Sequence, residues 1–272
     1  KREWNELMEA FSLKDKIKKN SYFIWNNESK NIQFIKNYRP LKLDLIIGVD
    51  RQKKILLNNT YNFAEGNFTN NALLWGARGN GKSSLIKSVF DKISLTHKNL
   101  KLIQLNKDNI FDIELIYTIL GKINKFRFII FIDDLSFEKI DSDYKIIKSI
   151  LDGSIQNQPT NILLYVSSNR RHLMPRDMID NERSSAIHTD ESVEEKISLS
   201  DRFGLWIGFH KLSQTDYLKI IETYCQHYKI NYDEEIRKKA IQWSLQRGNR
   251  TGRTAWQFIL NTASDQNLKI KI

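Results

Sequence analysis

The chain has 272 residues, enough for one large domain or two small ones, and with 40% apolar residues it can bury a proper core. Its single cysteine, Cys225, excludes an internal disulfide and suits a reducing cytoplasm, and no apolar run approaches the roughly 20 residues of a membrane-spanning helix. A net charge of +11 permits nucleic acid or an acidic protein as partner, although joint richness in Lys, Ile and Asn is also a compositional habit. The sequence begins at Lys1 rather than Met, the mark of a trimmed N-terminus, and no secretory leader is legible in it.

In chain order, residues 1–38 are expected to form a helical arm. Trp4, Leu7, Met8 and Phe11 fall on one helical face, and Trp25, Phe34, Ile35 and Tyr38 recur later among polar residues. The arm either packs on the main domain or docks a partner. Arg39-Pro40 punctuates the boundary. A connector with a turn at Gly48 leads to a helix from about Val49 to Ala64. Then strands are expected at Ala72–Trp75, Lys101–Leu105, Phe128–Ile132, Asn161–Val166 and Leu205–Phe209. Between them, helices are expected from Lys82 to about Thr96, from Asp108 to Ile123, and at Tyr144–Leu151, the last stopped by Gly153. Strands alternating with helices predict an α/β fold on a parallel sheet, spanning residues 39–211. Residues 171–200 form a long polar loop, a candidate for substrate or partner contact. From Ser213 the pattern changes to three helical segments with no strand between, an all-helical lid at 212–272 in which Ser213 can cap the first helix.

The chemistry concentrates at Gly76-Ala77-Arg78-Gly79-Asn80-Gly81-Lys82-Ser83-Ser84, a G-x-x-x-x-G-K-S loop between a predicted strand and a predicted helix. Glycines let such a loop turn its backbone N–H groups toward one phosphate chain, and the helix N-terminus adds partial positive charge. Lys82 is placed to reach the β- and γ-phosphates of ATP, and the Ser83 hydroxyl to ligate Mg2+. Five apolar residues precede Asp133 and Asp134, so Asp133 is the expected Mg2+-side carboxylate. Asp134 is either a general base that orients water or a structural acid, with Glu138 as a back-up base. Asn169 ends another buried strand and either positions that water or closes a turn. Arg170, Arg171 and His172 follow as phosphate sensors, partner contacts or solvated charges. The scattered histidines do not have the spacing of a zinc site.

Assembled, these residues resemble the AAA+ ATPases over roughly residues 39–265. GARGNGKS looks like Walker A, IIFIDD like Walker B and SSN like sensor 1. SDRF, with Arg202, looks like the arginine-finger box, and TGRTA, with Arg253, like sensor 2 in the lid. The segment with Ile47 and Gly48 looks like the box that holds adenine. DDLSFE, SNRRHL and SLSDRFGLW are closer still to one bacterial AAA+ group of unassigned role. The resemblance implies five parallel strands in the order 5-1-4-3-2, ATP with Mg2+, and a ring or helical self-assembly in which Arg202 reaches a neighbour's site. It implies an ATPase that remodels a protein or nucleic-acid client. The alternatives are a nucleotide-switched, DNA-associated loader or adaptor and, more remotely, a small-molecule kinase. One departure stands out: most such Walker B motifs end Asp-Glu, whereas Asp134 is one methylene shorter, about 1.5 Å of lost reach.

Overall fold

In the run Phe128–Ile132 every residue is apolar, so a strand there has no face to show to water. The computed structural model describes residues 13–36, 38–137, 142–152, 159–171, 173, 199 and 201–270. It places that run at the centre of a sheet. The N-terminal part gives a helix over residues 13–19 (α1), strands β1 (Tyr22–Asn26) and β2 (Asn31–Phe34), and α2 (Asp50–Ala64). Next come β3 (Ala72–Gly76), α3 (Lys82–Ser94), β4 (Leu100–Leu105), α4 (Ile113–Gly121) and β5 (Arg127–Ile132). After α5 (Ser142–Leu151), β6 (Ile162–Ser168) and β7 (Leu205–Phe209), the chain ends in α6 (Gln214–Tyr228), α7 (Glu234–Gln246) and α8 (Gly252–Asp265).

The sheet order is β2-β1-β4-β5-β6-β3-β7. Its last five members reproduce the expected order 5-1-4-3-2, and all of their pairings are parallel. The sheet is wider than expected, with seven strands, because residues 22–34 form a β-hairpin and not a helix. Phe23 and Trp25 alternate into the core, and β1 lies parallel to β4 with Tyr22 opposite Leu102. The Trp25 indole donates to Asp112 at 2.8 Å, and Lys30 pairs with the same carboxylate. That junction also divides the helix expected over 108–123: a 3-10 turn at Lys107–Asp112 precedes α4, with Asn109 outside helical geometry. The Trp4–Phe11 stripe lies outside the described residues, as does Gly153.

Alternate residues of β5 feed two cores. Phe128, Ile130 and Ile132 pack with α4 and α5, while Ile129 and Phe131 pack with α2 and α3. Each such side chain contributes about 1.5–3 kcal/mol by leaving water. The C-terminal helices have their own core around Tyr217, Ile221, Cys225 and Ile259, joined to the rest through Leu45. Ser213 caps α6 in a reciprocal box with Asp216, which fixes where the helical part begins. Among the described residues no helix is long and apolar enough to cross a membrane.

Charged residues are buried too, Lys101 the most deeply among them. Lys101 on β4 is 2% exposed, donates to the Asn20 carbonyl at 2.7 Å and lies 5.2 Å from the centre of the Phe126 ring. Burial, aided by nearby Lys98, pushes its pKa down to about 8. The folded chain therefore sheds this proton near pH 8, whereas the unfolded chain keeps it to about pH 10.4. Between those values the unfolded state binds more protons, so stability relative to Lys101→Met should rise with pH. Denaturant titrations from pH 7 to 10 are expected to narrow the gap between the two proteins by about 1–3 kcal/mol. A constant gap would show that Lys101 titrates as an exposed lysine does.

Candidate nucleotide site

At the end of β3, Gly76 lies opposite Phe209 of β7 with φ +139°, and a Cβ there would come within 2.1 Å of the Phe209 carbonyl oxygen. Only glycine lets the chain leave the sheet at this point. Gly79 (φ +84°) faces the lid: a Cβ would meet Thr251 Oγ1 at 3.0 Å and Arg253 Cβ at 3.3 Å. The Arg253 backbone N–H donates to the Gly79 carbonyl, so the loop and the start of α8 touch directly. Gly81 opens α3 in left-handed geometry with no side-chain cap. The first-turn N–H groups of α3 thus have no capping acceptor, which suits an anion.

The loop side chains converge on the ends of β5 and β6. Lys82 is buried, and its ammonium donates to the carbonyls of Gly76 (2.7 Å) and Ala77 (2.9 Å) and to Asn169 Oδ1 (3.1 Å). Burial lowers its pKa, opposed by Asp134 and Asp133. Ser83 Oγ donates to Asp133 Oδ1 at 2.6 Å, and Ser167 Oγ donates to the same oxygen. Asp134 has φ +56°, a conformation that costs a non-glycine residue energy and that clusters at functional sites. Its backbone N–H is held by Ser167 Oγ, and its carboxylate accepts from Arg78 Nη2 at 3.1 Å and from Asn169 Nδ2. Asn169 therefore bridges Lys82 and Asp134 with its two amide atoms.

Arg78, Lys82, Ser83, Asp133, Asp134, Ser167 and Asn169 line a cleft of about 1040 Å³ together with Ser84 and Arg253. Apolar and aromatic groups line the same cleft: Ile46 and Ile47, Tyr38, and Tyr224, Tyr228 and Trp256 of the lid. Gly48 is not part of the wall. It turns the chain at φ +80° against Leu212 and Asp216, anchoring the segment to the start of α6. The lining thus combines charged and polar groups that suit a phosphate chain with aromatic rings that suit a flat base. Ser83 Oγ, Asp133 and Ser167 offer the hard oxygen donors that Mg2+ prefers, so the residues present fit that ion.

Other expected residues lie elsewhere. Arg202 is outside the cleft and pairs with Asp152, just past α5. Arg170 donates to the Phe137 carbonyl at 3.1 Å, and the Arg171 guanidinium lies over the rings of Trp75 and Trp206. Glu138, His172 and most of the 171–200 loop fall outside the described residues. Sequence reasoning passed over Ser167 and the lid aromatics. Ser167 was visible in Ser167-Ser168-Asn169, but nothing marked it as the residue facing Asp133. Tyr224 and Tyr228 lie in a segment that the sequence marks only as helical.

The fold has counterparts among solved structures. A single-residue variant of RuvB from Thermotoga maritima matches with a TM-score of 0.53 at 18% identity, over 85% of this chain and 74% of that one. ORC1 from Aeropyrum pernix, solved in complex with DNA, gives 0.57 at 16% identity, over 82% of this chain and 62% of that one. Domain III of the replication initiation protein DnaA from Thermotoga maritima gives 0.51 at 14% identity, over 86% and 94%. At these identities the likeness establishes the AAA+ fold and no more. No curated protein sequence matches. A family model described as "Protein of unknown function (DUF815)" matches residues 18–266. The chain is therefore an AAA+-fold member of that family.

Proposed function

We propose that the chain binds Mg-ATP in this cleft and hydrolyses it, in a self-assembled form, to remodel a protein or nucleic-acid client. The observation that carries the reading is the single hydrogen-bonded network of Lys82, Ser83, Asp133, Asp134 and Asn169 beneath the lid. Loop N–H groups and Lys82 hold the phosphates, and Ser83 and Asp133 would hold Mg2+, which would supply charge neutralisation. Asp134 takes a proton from the attacking water, which Asn169 orients. Arg253, at the start of α8, senses the nucleotide from its own chain, so that residues 39–211 and the 212–272 lid act as two moving parts. Arg202, paired with Asp152 just past α5, completes a neighbour's site. Glu138 stands as a second base. The fold-level likeness to an ORC1 solved in complex with DNA, together with the net charge of +11, agrees with a nucleic-acid client.

A second reading has its own observation. The Asp134 carboxylate is already engaged by Arg78 and Asn169, so ATP can serve as a switch for a DNA-associated adaptor with little turnover. ATP turnover per chain, measured against protein concentration, separates the two. The first reading expects specific activity to rise with concentration and Arg202→Ala to lower it at least tenfold while ATP binding persists. ATP binding without turnover at any concentration leaves only the switch.

A further inference from the structure

A second cleft, of about 710 Å³, lies on the other side of the phosphate loop and shares Arg78, Gly79, Asn80 and Arg253 with the first. Lys211 and, from the turn between α7 and α8, Arg247 and Arg250 complete its charge. No aspartate or glutamate lines it among the described residues. Arg78 is neutralised by Asp134, but Lys211, Arg247 and Arg250 make no ion pair among the described residues. The Arg247 guanidinium is stacked on the Trp243 ring at 3.3 Å, which fixes its plane and leaves its N–H edge for an acceptor. Arg250 donates to Gln214 at 3.2 Å, yet its Nε is buried without a partner.

The charge continues past the cleft. Asn80 donates to the His210 carbonyl, the His210 ring stands edge-on to Trp75, and Arg171 covers Trp75. Arg171 thus adds one more cation beside Trp75 on β3. A cleft whose charged lining is arginine and lysine alone matches a polyanion with a charge on every unit. We propose that this second cleft binds the phosphate backbone of a nucleic acid, with Lys211, Arg247 and Arg250 as its contacts. The site names the chemistry of a client, but it does not depend on ATP turnover.

The test is fluorescence anisotropy of the full chain, without ATP, against a labelled oligothymidylate of about 16 nucleotides and a duplex of the same length. Binding of either is expected at about 50 mM salt. Three phosphate contacts give a log–log salt slope of about −2 for a single strand, close to a twentyfold loss at about 200 mM. The Lys211→Glu/Arg247→Glu double variant changes two exposed side chains outside the nucleotide cleft. It should bind at least tenfold more weakly while a fluorescent ATP analogue binds as before, which shows that it is folded. Arg250→Gln, which keeps donors, tests the third contact with an expected severalfold loss. Three results would overturn the proposal: no binding at low salt, a double variant that binds as the wild type does, or displacement of the oligonucleotide by polyglutamate at equal charge. Oligonucleotide binding in a chain that fails to turn over ATP would sink the hydrolytic reading and leave this one standing.

Discussion

Lys82→Ala is expected to weaken ATP binding by about 100-fold or more, read by titration with a fluorescent analogue. Charge-assisted hydrogen bonds contribute about 1.5–3 kcal/mol each, and two to the phosphates correspond to about 10²–10⁴ in affinity. The ammonium is already stripped of much of its water and held on the Gly76 and Ala77 carbonyls, so little ordering remains to be done when phosphate arrives. Its loss should also remove the rise in melting temperature that ATP gives the wild type, because that rise is binding free energy by linkage. The substitution leaves two carbonyls and Asn169 Oδ1 without their donor, so a lower melting temperature in the absence of ATP is expected as well. Lys82→Arg is the companion. It keeps a cation and donors but is planar and bulkier, and should bind ATP more weakly than the wild type while holding the loop. If Lys82→Ala binds the analogue within threefold of the wild type, the phosphates are not at this loop.

What the sequence shows and what it conceals follow from two kinds of signal. The five parallel strands were legible because they are short, mostly apolar runs, and β3, β5 and β6 are unbroken ones that lead into glycine, carboxylate or amide residues. Burial on both faces leaves no other reading for RFIIFI or ILLYV. The hairpin at residues 22–34 was not legible. YFIWN and NIQF are short, and only Phe23, Trp25 and Ile32 are fully buried, because β2 is a sheet edge. Its stability comes from pairing with β4, about 80 residues further on, which no local window contains. The glycine-bounded turn between β3 and α3 was legible because its spacing is dictated by backbone geometry. The Asn169 bridge and the Ser167 contact were half legible. A polar residue at the end of a buried strand attracts notice, but which of Ser167, Ser168 and Asn169 faces Asp133 depends on the parity of β6. The basic cleft was least legible, since Lys211 and Arg247 are far apart in sequence and meet only when the lid lies over the loop.

Asp134→Asn should lower ATP turnover by about 10²–10⁴ while ATP affinity stays within a few-fold, because the change removes a proton acceptor and little else. The site is favourable for so clean a substitution. Asp134 sits at φ +56°, where asparagine is among the residues that tolerate left-handed geometry, so the backbone need not move. The introduced amide can keep its oxygen toward Asn169 Nδ2, and Lys82 keeps its bond to Asn169 Oδ1. The ion pair with Arg78 is lost, but Arg78 is 70% exposed, and such pairs contribute little to stability. Loss of turnover would therefore report chemistry rather than folding, provided that melting temperature and analogue binding match the wild type. Asp134→Glu separates reach from identity. The longer carboxylate fits the left-handed backbone less well, yet it extends about 1.5 Å further toward the cleft. If the short side chain limits the reaction, Asp134→Glu should turn over faster than the wild type despite a lower melting temperature. If it is slower, the Arg78 and Asn169 contacts hold the shorter carboxylate where the water must lie. Wild-type turnover in Asp134→Asn would remove Asp134 from the mechanism and pass the base to Glu138, whose own glutamine variant would then be the one to fail.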